Sequence, residues 1–383
     1  MEVYMDNSAT TRTDDAVVEL MDRIYREDYG NPSSLHKIGY RAEQYVNDAL
    51  DTFSSILQCK RKNIVFTSGG TESNNTAILG TALFKESRGK HIITSVTEHP
   101  SVLEPVRTLE KRGWEVEFLN VDSEGHVDPD ELRSKIRKDT VLVSLMHVNN
   151  EIGTITPVSE IGRVIREANP ECFFHVDDVQ GFGKIGFKMK DSNIDFLSAS
   201  AHKIHGPKGS GLLYMSDRAS HISPYIMGGG QQGGIRSGTI NVPGIAGFAK
   251  AAELMYKDIE DNFTRAKDIR EHFVTEAEKT EGVRANGGTE GSPYILSLSV
   301  RGIRAEVLLH ALEEKGVYVS AGSACSSHKK KLSDTLKGIG LSDDEAESTV
   351  RFSFSVHTDK RQADYCIECL NAVIPELRKF RRR

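Results

Sequence analysis

IDFLSASAHKIHGPKG, residues 194–209, decides how the rest of the chain is read. An apolar run, Ile194-Asp195-Phe196-Leu197, passes into small residues and then into His202, Lys203, His205 and a glycine turn. Apolar and small residues over this length suit a strand buried on both faces. The residues straight after it then stand at the strand's carboxyl end, where open parallel sheets collect ligands. A lysine at such a place is ordinarily a solvated loop residue. If Lys203 does chemistry, other strand ends must supply its partners. Lys208 is the competing lysine. It sits in a glycine-flanked turn and is expected to be exposed.

Outward from this stretch the pattern repeats. NIVFTS (63–68), HIITSV (91–96), WEVEFLNV (114–121), TVLVSLMHV (140–148), CFFHVDD (172–178), DFLSAS (195–200) and GLLYMS (211–216) read as strands. Helical patterns fall near 71–87, 100–112, 128–137 and 157–168. This alternation predicts an α/β fold, with a large domain built on a mostly parallel seven-stranded sheet covered on both sides. After the Gly-rich GGGQQGGIRSG (228–238) the pattern changes. A long helical stretch over about 243–281 precedes YILSLSV (294–300), a helix near 304–315, VYVSAG (317–322) and a helix near 359–380. This predicts a smaller α+β domain. The expected boundaries are 14–258 for the large domain, and 1–13 with 259–383 for the small one.

With 383 residues, 38% hydrophobic and 27% charged, the chain can bury a sizeable core and stay soluble. A net charge of −6 argues against direct nucleic-acid binding, which needs a basic face. The basic tail RKFRRR (378–383) reads as a solvated, frayed end. No apolar run is long enough for a membrane span, and MEVYMDNSATT at the start lacks the pattern of a secretory signal. Five cysteines, an odd and sparse set, do not form a disulfide framework and fit a reducing cytoplasm. Cys366 and Cys369, in YCIECL, lie on the C-terminal helix with no second pair for a metal, so they read as packed thiols.

Polar residues follow each strand in turn. GGTESNN (69–75) opens a helix, and glycines with free backbone N–H groups at a helix start form an anion cradle. A Gly-rich turn capped by Thr71 is the ordinary alternative. TEHPSV (97–102) places His99 before a proline-started helix, NNEIG (149–153) brings Asn150, and VDDVQGFGK (176–184) brings Asp177 and Gln180. Singly, each has a plain structural reading. Together they match pyridoxal phosphate. That cofactor needs a lysine to tether its aldehyde, a carboxylate to keep its ring nitrogen protonated, an anion site, and often an aromatic ring against its face. Lys203 supplies the first and Asp177 the second. Gly70 and Thr71 with Ser200 and His202 supply the third, and His99 the fourth. Gln180 can donate to the ring's phenolic oxygen.

These residues resemble those of class V aminotransferase-type pyridoxal phosphate enzymes, and specifically cysteine desulfurases. The resemblance runs through YMDNSATT (4–11), YGNPSSLH (29–36), FTSGGTESNN (66–75), TEHPSV, HVNNEIGT (147–154), HVDDVQGFGK, SASAHKIHGPKG, IRSGTINVPG (235–244), SAGSACSS (320–327) and RFSFS (351–355). It implies the type I fold of pyridoxal phosphate transferases. It also implies Lys203 as the cofactor's covalent anchor, Asp177, Gln180 and Asn150 as ring contacts, and His99 as the stacking acid/base. Gly70, Thr71, Ser200 and His202 match the phosphate contacts. Thr239 matches a phosphate contact given by a second subunit, which implies a homodimer with shared sites. Arg351 matches the residue that holds the substrate carboxylate, where a planar guanidinium offers two parallel bonds.

Cys325 matches the sulfur-accepting nucleophile. Its surroundings suit that role, since SAGSACSS leads into His328-Lys329-Lys330-Lys331, and nearby positive charge favours the thiolate. The implied reaction converts L-cysteine to L-alanine, leaving a persulfide on Cys325. The implied destination is an iron–sulfur scaffold protein, with tRNA thiolation and selenocysteine cleavage as alternatives. Three positions depart from the family pattern: Asp178 where alanine is common, Gln231-Gln232-Gly233-Gly234 where a basic residue is often found, and Ile240 where glutamate or leucine is usual.

Overall fold

Consecutive residues of the central strands turn to opposite sides, and both sides are buried. In the computed structural model, which describes residues 1–321 and 332–380, Ile93, Val143, Phe174, Leu197 and Leu212 pack into one apolar core. Their neighbours Ile92, Leu142, Phe173, Phe196 and Leu213 pack into another. Side chains along a strand alternate faces, so a sheet covered twice demands the near-continuous apolar runs seen in the sequence.

The chain opens with β1 (Val3–Tyr4), α1 (Asp15–Arg26) and α2 (Lys37–Leu57). It then alternates through β2 (Ile64–Thr67), α3 (Gly70–Lys85), β3 (His91–Ser95), α4 (Pro100–Glu110), β4 (Glu115–Leu119), α5 (Pro129–Lys135), β5 (Thr140–Met146), α6 (Val158–Ala168) and β6 (Phe173–Asp177). With β7 (Phe196–Ser200) and β8 (Gly211–Met215) these strands make one seven-stranded sheet, in the order β2-β8-β7-β6-β5-β3-β4. Each of the seven expected strands lies in it. Pairing is parallel from β4 across to β7, and β8 runs antiparallel to both β7 and β2. β2 and β7 therefore point the same way, and the turns after them reach the same edge.

β2 is an edge strand, and an edge leaves backbone groups to be covered. Gln232 does this at Phe66: its Oε1 accepts from the Phe66 N–H at 2.6 Å and its Nε2 donates to the Phe66 carbonyl at 2.8 Å. A neutral amide that both gives and receives suits this position, where a basic side chain could only give.

The helical stretch expected over 243–281 is two helices, α7 (Val242–Lys257) and α8 (Ile259–Ala277). Asp258 between them leaves the helical region at φ −128°, ψ 34°. The break is where the chain changes cores. Phe248, Ala252 and Met255 of α7 pack beneath the large sheet, whereas Ile269, Phe273 and Ala277 of α8 enter a separate core.

That core surrounds a second sheet. The chain continues as β9 (Val283–Asn286), β10 (Ile295–Val300), α9 (Ala305–Glu313), β11 (Val317–Tyr318) and β12 (Ser320–Ala321). After the residues not described come α10 (Asp334–Gly338), α11 (Asp343–Glu347), β13 (Thr349–Ser353) and α12 (Lys360–Phe380). Strands pair antiparallel in the order β12-β13-β10-β9. The N-terminal segment belongs with them: β1 pairs with β11, Met5 is in the same core, and Asp6 bridges to Ser353. Cys366 and Cys369 are buried there as packed thiols. Among the described residues no helix is long and apolar enough to cross a membrane.

Glu98, just past β3, ties two strand ends together. Its Oε1 accepts from Ser95 Oγ at 2.8 Å and from the Met146 N–H at 3.0 Å. Its Oε2 has no partner among the described residues. Burial pushes this carboxyl from 4.5 up to about 8, so it holds a proton at neutral pH. The unfolded chain releases that proton at the lower value. Glu98 therefore costs stability as pH rises from 4.5 through about 8. Glu98→Gln keeps the shape with no proton to lose. Its urea midpoint is expected to fall less over that window than the parent's, and parallel pH profiles would contradict the assignment.

Candidate active site

A cavity of about 390 Å³ opens at the carboxyl edge of the large sheet, where the turns after β2, β3, β5, β6 and β7 converge. Gly70 and Thr71 line it as the first two residues of α3. A Cβ on Gly70 would lie 2.4 Å from Val179 Cγ2, so only glycine lets the helix start pack against the β6 turn. Gly69 caps α3 with no side-chain bond, so Thr71 is not the cap. The first N–H groups of a helix have no intrahelical partner. They join Ser200, the last residue of β7, and His202 in one polar corner. Burial, then the charges of Lys203, Lys208 and Lys184, push His202 down to about 4. Free N–H groups at a helix start are a setting that suits an anion.

Lys203 sits in the short turn after β7, and its Nζ donates to the carbonyls of Ser8 and of Ala9, the latter at 2.8 Å. Burial and then the Arg351 charge push this amine down to about 8, against the pull of Asp6 and Asp177. A lysine in that range has a usable neutral fraction, as a nucleophile or base requires. Lys208 is exposed, as expected. Asp177 ends β6; its Oδ1 accepts from the Val179 N–H at 3.1 Å and its Oδ2 from Asn74 Nδ2 at 2.7 Å. Gln180 donates through Nε2 to the Ser8 carbonyl at 3.0 Å, and its Oε1 accepts from Lys184 at 3.4 Å.

Arg351 reaches the cavity from β13 of the other sheet. Its Nη1 donates to the Asn150 carbonyl at 2.9 Å, and its Nη2 meets Asp6 Oδ1 at 2.8 Å. Its buried Nε has no partner among the described residues. A guanidinium is a planar donor fork that suits carboxylates.

The cavity thus brings together Gly70, Thr71, His99, Asn150, Asp177, Gln180, Ser200, His202, Lys203 and Arg351. Thr239 is exposed and does not line it. Cys325 lies outside the described residues. Sequence reasoning assigned no role to Asp6, Ser8, Ala9, Asn74 or Ser101. YMDNSATT carried only a motif match, although its single acid was a signal. Asn74, a fully buried amide inside a helix, is visible as important only once its partners are known. The extra acid Asp178 is buried against His147, with Oδ1 2.6 Å from Nδ1. Burial raises its pKa, and the His147 contact opposes the rise. The second carboxylate therefore has its own partner and does not line the cavity.

The class-V aminotransferase family matches residues 3–366. A cysteine desulfurase IscS of Dictyoglomus turgidum is 41% identical over 98% of this chain and 95% of its own. A solved NifS-like protein superposes with a TM-score of 0.93 at 37% identity, covering 98% of this chain and all of the other (100%). A structure described as SspA in complex with cysteine superposes with a TM-score of 0.82 at 33% identity, covering 93% of this chain and 99% of that one. By the extent of these matches the chain belongs to the class-V aminotransferase family, among its cysteine desulfurases.

Proposed function

We propose that this protein is a pyridoxal-phosphate-dependent cysteine desulfurase that converts L-cysteine to L-alanine and takes the sulfur onto Cys325 as a persulfide. The observation that carries the reading is Lys203, its amine lowered to about 8, in one cavity with Asp177 and Arg351. The donor set fits the cofactor. Gly70, Thr71, Ser200 and His202 would hold its phosphate, Asp177 its ring nitrogen, Gln180 and Asn150 its polar edge, and His99 its ring face. Lys203 would hold its aldehyde. Bound there, pyridoxal phosphate supplies an electron sink for the pair released at the substrate's α-carbon.

The chain's own residues do the rest. Arg351 binds the substrate carboxylate, to which Asp6 is chemically equivalent as a partner. Lys203, partly neutral at physiological pH, takes the proton from the substrate's α-carbon. The Cys325 thiolate attacks the substrate sulfur. An S–S bond forms, the carbon–sulfur bond breaks, and the β-carbon keeps the electron pair and gains a proton to become a methyl group. The product side is alanine and the persulfide.

We further read the protein as a cytoplasmic homodimer in which Thr239 serves the partner's phosphate corner. Its exposure, outside its own chain's cavity, supports this, as do Tyr225 and Met227, 48% and 73% exposed in the same segment. Residues 14–258 form the large domain in this reading, with 1–13 and 259–383 forming the small one. The sulfur goes to an iron–sulfur scaffold protein, or to another acceptor such as a tRNA-thiolating enzyme.

Lys203→Ala is expected to lose the visible absorption band on incubation with pyridoxal phosphate, and to lose borohydride-dependent labelling; an unchanged band and label would refute the anchor. Cys325→Ala should keep the band yet release sulfide from cysteine roughly 10³-fold more slowly. Full sulfide release by that variant would remove Cys325 from the mechanism. Arg351→Lys keeps the charge but not the fork, and should raise KM for cysteine about tenfold. A KM equal to the parent's would place the carboxylate elsewhere.

A further inference from the structure

His99 caps α4, and the bonds that hold it there fix which of its nitrogens carries the proton. Its Nδ1 accepts from the Ser101 backbone N–H at 3.1 Å and lies 2.7 Å from Ser101 Oγ. A hydroxyl can give or receive, so the second bond has no direction until another contact sets it. Asn74 sets it. This fully buried side chain of α3 places Nδ2 2.8 Å from Ser101 Oγ and 2.7 Å from Asp177 Oδ2. The opposite amide orientation would press Oδ1 against a carboxylate oxygen, an acceptor against an acceptor. Asp177 therefore fixes the nitrogen end, and an amide nitrogen only donates. The amide keeps both donors in use and leaves its own Oδ1 without a partner among the described residues.

Ser101 Oγ thus accepts from Asn74 and has its own hydrogen free for His99 Nδ1. Nδ1 receives two hydrogens and can carry none. A neutral imidazole bears one N–H, which must then be on Nε2. A doubly protonated ring would set Nδ1–H against the Ser101 N–H. Burial also disfavours the cation, as does Lys203, while Asp177 pulls the other way.

We propose that Asn74 and Ser101 are positioning residues that hold His99 as the Nε2–H tautomer, so that the nitrogen left to the cavity is a hydrogen-bond donor and not a base. One amide on α3 would then set both the carboxylate at the end of β6 and the imidazole at the start of α4. The consequence for catalysis rests on the cofactor-site reading above: His99 meets lone pairs, such as those of a substrate thiolate, and the α-proton is left to Lys203. The tautomer itself is a property of the chain alone.

The test is nitrogen NMR on the full protein with ¹⁵N-labelled histidine, His99→Gln identifying the His99 signals. Spectra taken before and after adding pyridoxal phosphate separate the two readings, because a tautomer set by the chain is present in both whatever the cofactor does. The expected parent spectrum is the neutral Nε2–H form across the neutral range. Ser101→Ala and Asn74→Ala should each shift the tautomer ratio toward Nδ1–H by about tenfold, and Ser101→Thr, which keeps the hydroxyl, should restore it. An Nδ1–H form or an imidazolium in the parent overturns the proposal. So does a ratio unchanged in both alanine variants, which would leave the backbone N–H of residue 101 as the sole determinant.

Discussion

Burial of both faces of the seven-stranded sheet is the constraint from which the rest follows. Ile92 and Ile93, or Leu142 and Val143, go to different cores, so β3 and β5 cannot present a charged side chain along their length without stranding it. Chemistry is pushed to the strand ends. Five turns meet at one edge because β2, despite its antiparallel neighbour, runs in the direction of β7. The second sheet then contributes what the first lacks, a cation aimed back at that edge from β13.

The resulting site places like charges close together and balances them individually. Lys203, Arg351 and the wholly buried Lys184 are mutually unfavourable, and burial with this repulsion lowers Lys203 to about 8 and Lys184 to about 7. Asp6 answers Arg351, and this pair keeps Asp177 from being the only acid against several cations. Asp177 itself accepts on both oxygens, from the Val179 N–H and from Asn74. The departure at residue 178 adds a closed pair with His147 behind the site and no new group within it.

Legibility followed sequence distance. Strand ends are local, so Lys203, Asp177, Gln180, His99 and the Gly70-Thr71 turn could be seen from a few residues each. The expected domain boundary at 258/259 falls where the chain changes cores, but the interruption of the helix at Asp258 could not be seen, because the helical pattern runs on through it. Nor could the helix-buried amide of Asn74 be told from an ordinary polar residue. Its partners Ser101 and Asp177 lie 27 and 103 residues away, and only the packing of α3 against α4 and β6 brings them within reach. Asp178 could be marked from sequence only as a departure, because its partner His147 is 31 residues distant. Roles for Arg351, Thr239 and Cys325 came from resemblance, and of these the described structure brings Arg351 into the cavity.

The wall formed by Ser8 and Ala9 is laid down first and held from two sides, by Gln180 and Lys203 of the large sheet and, through the residues before it, by β13. Asn7 Nδ2 donates to the Ser353 carbonyl across 346 residues, and the Ser353 N–H donates to the Met5 carbonyl at 2.7 Å. During synthesis the lysine, the acid and the helix start of the cavity are all made while their N-terminal lining has no strand to dock on. Gln180 and Lys203 can hold its carbonyls over shorter separations, but closure over nearly the whole chain is needed before the residues ahead of it are anchored on β13. A nascent chain that has emerged only through the large sheet can own every cavity-lining side chain up to Lys203 and still lack Arg351. A complete cavity is thereby linked to completion of the polypeptide, and a product truncated before β13 forfeits the anchor of its N-terminal wall along with Arg351.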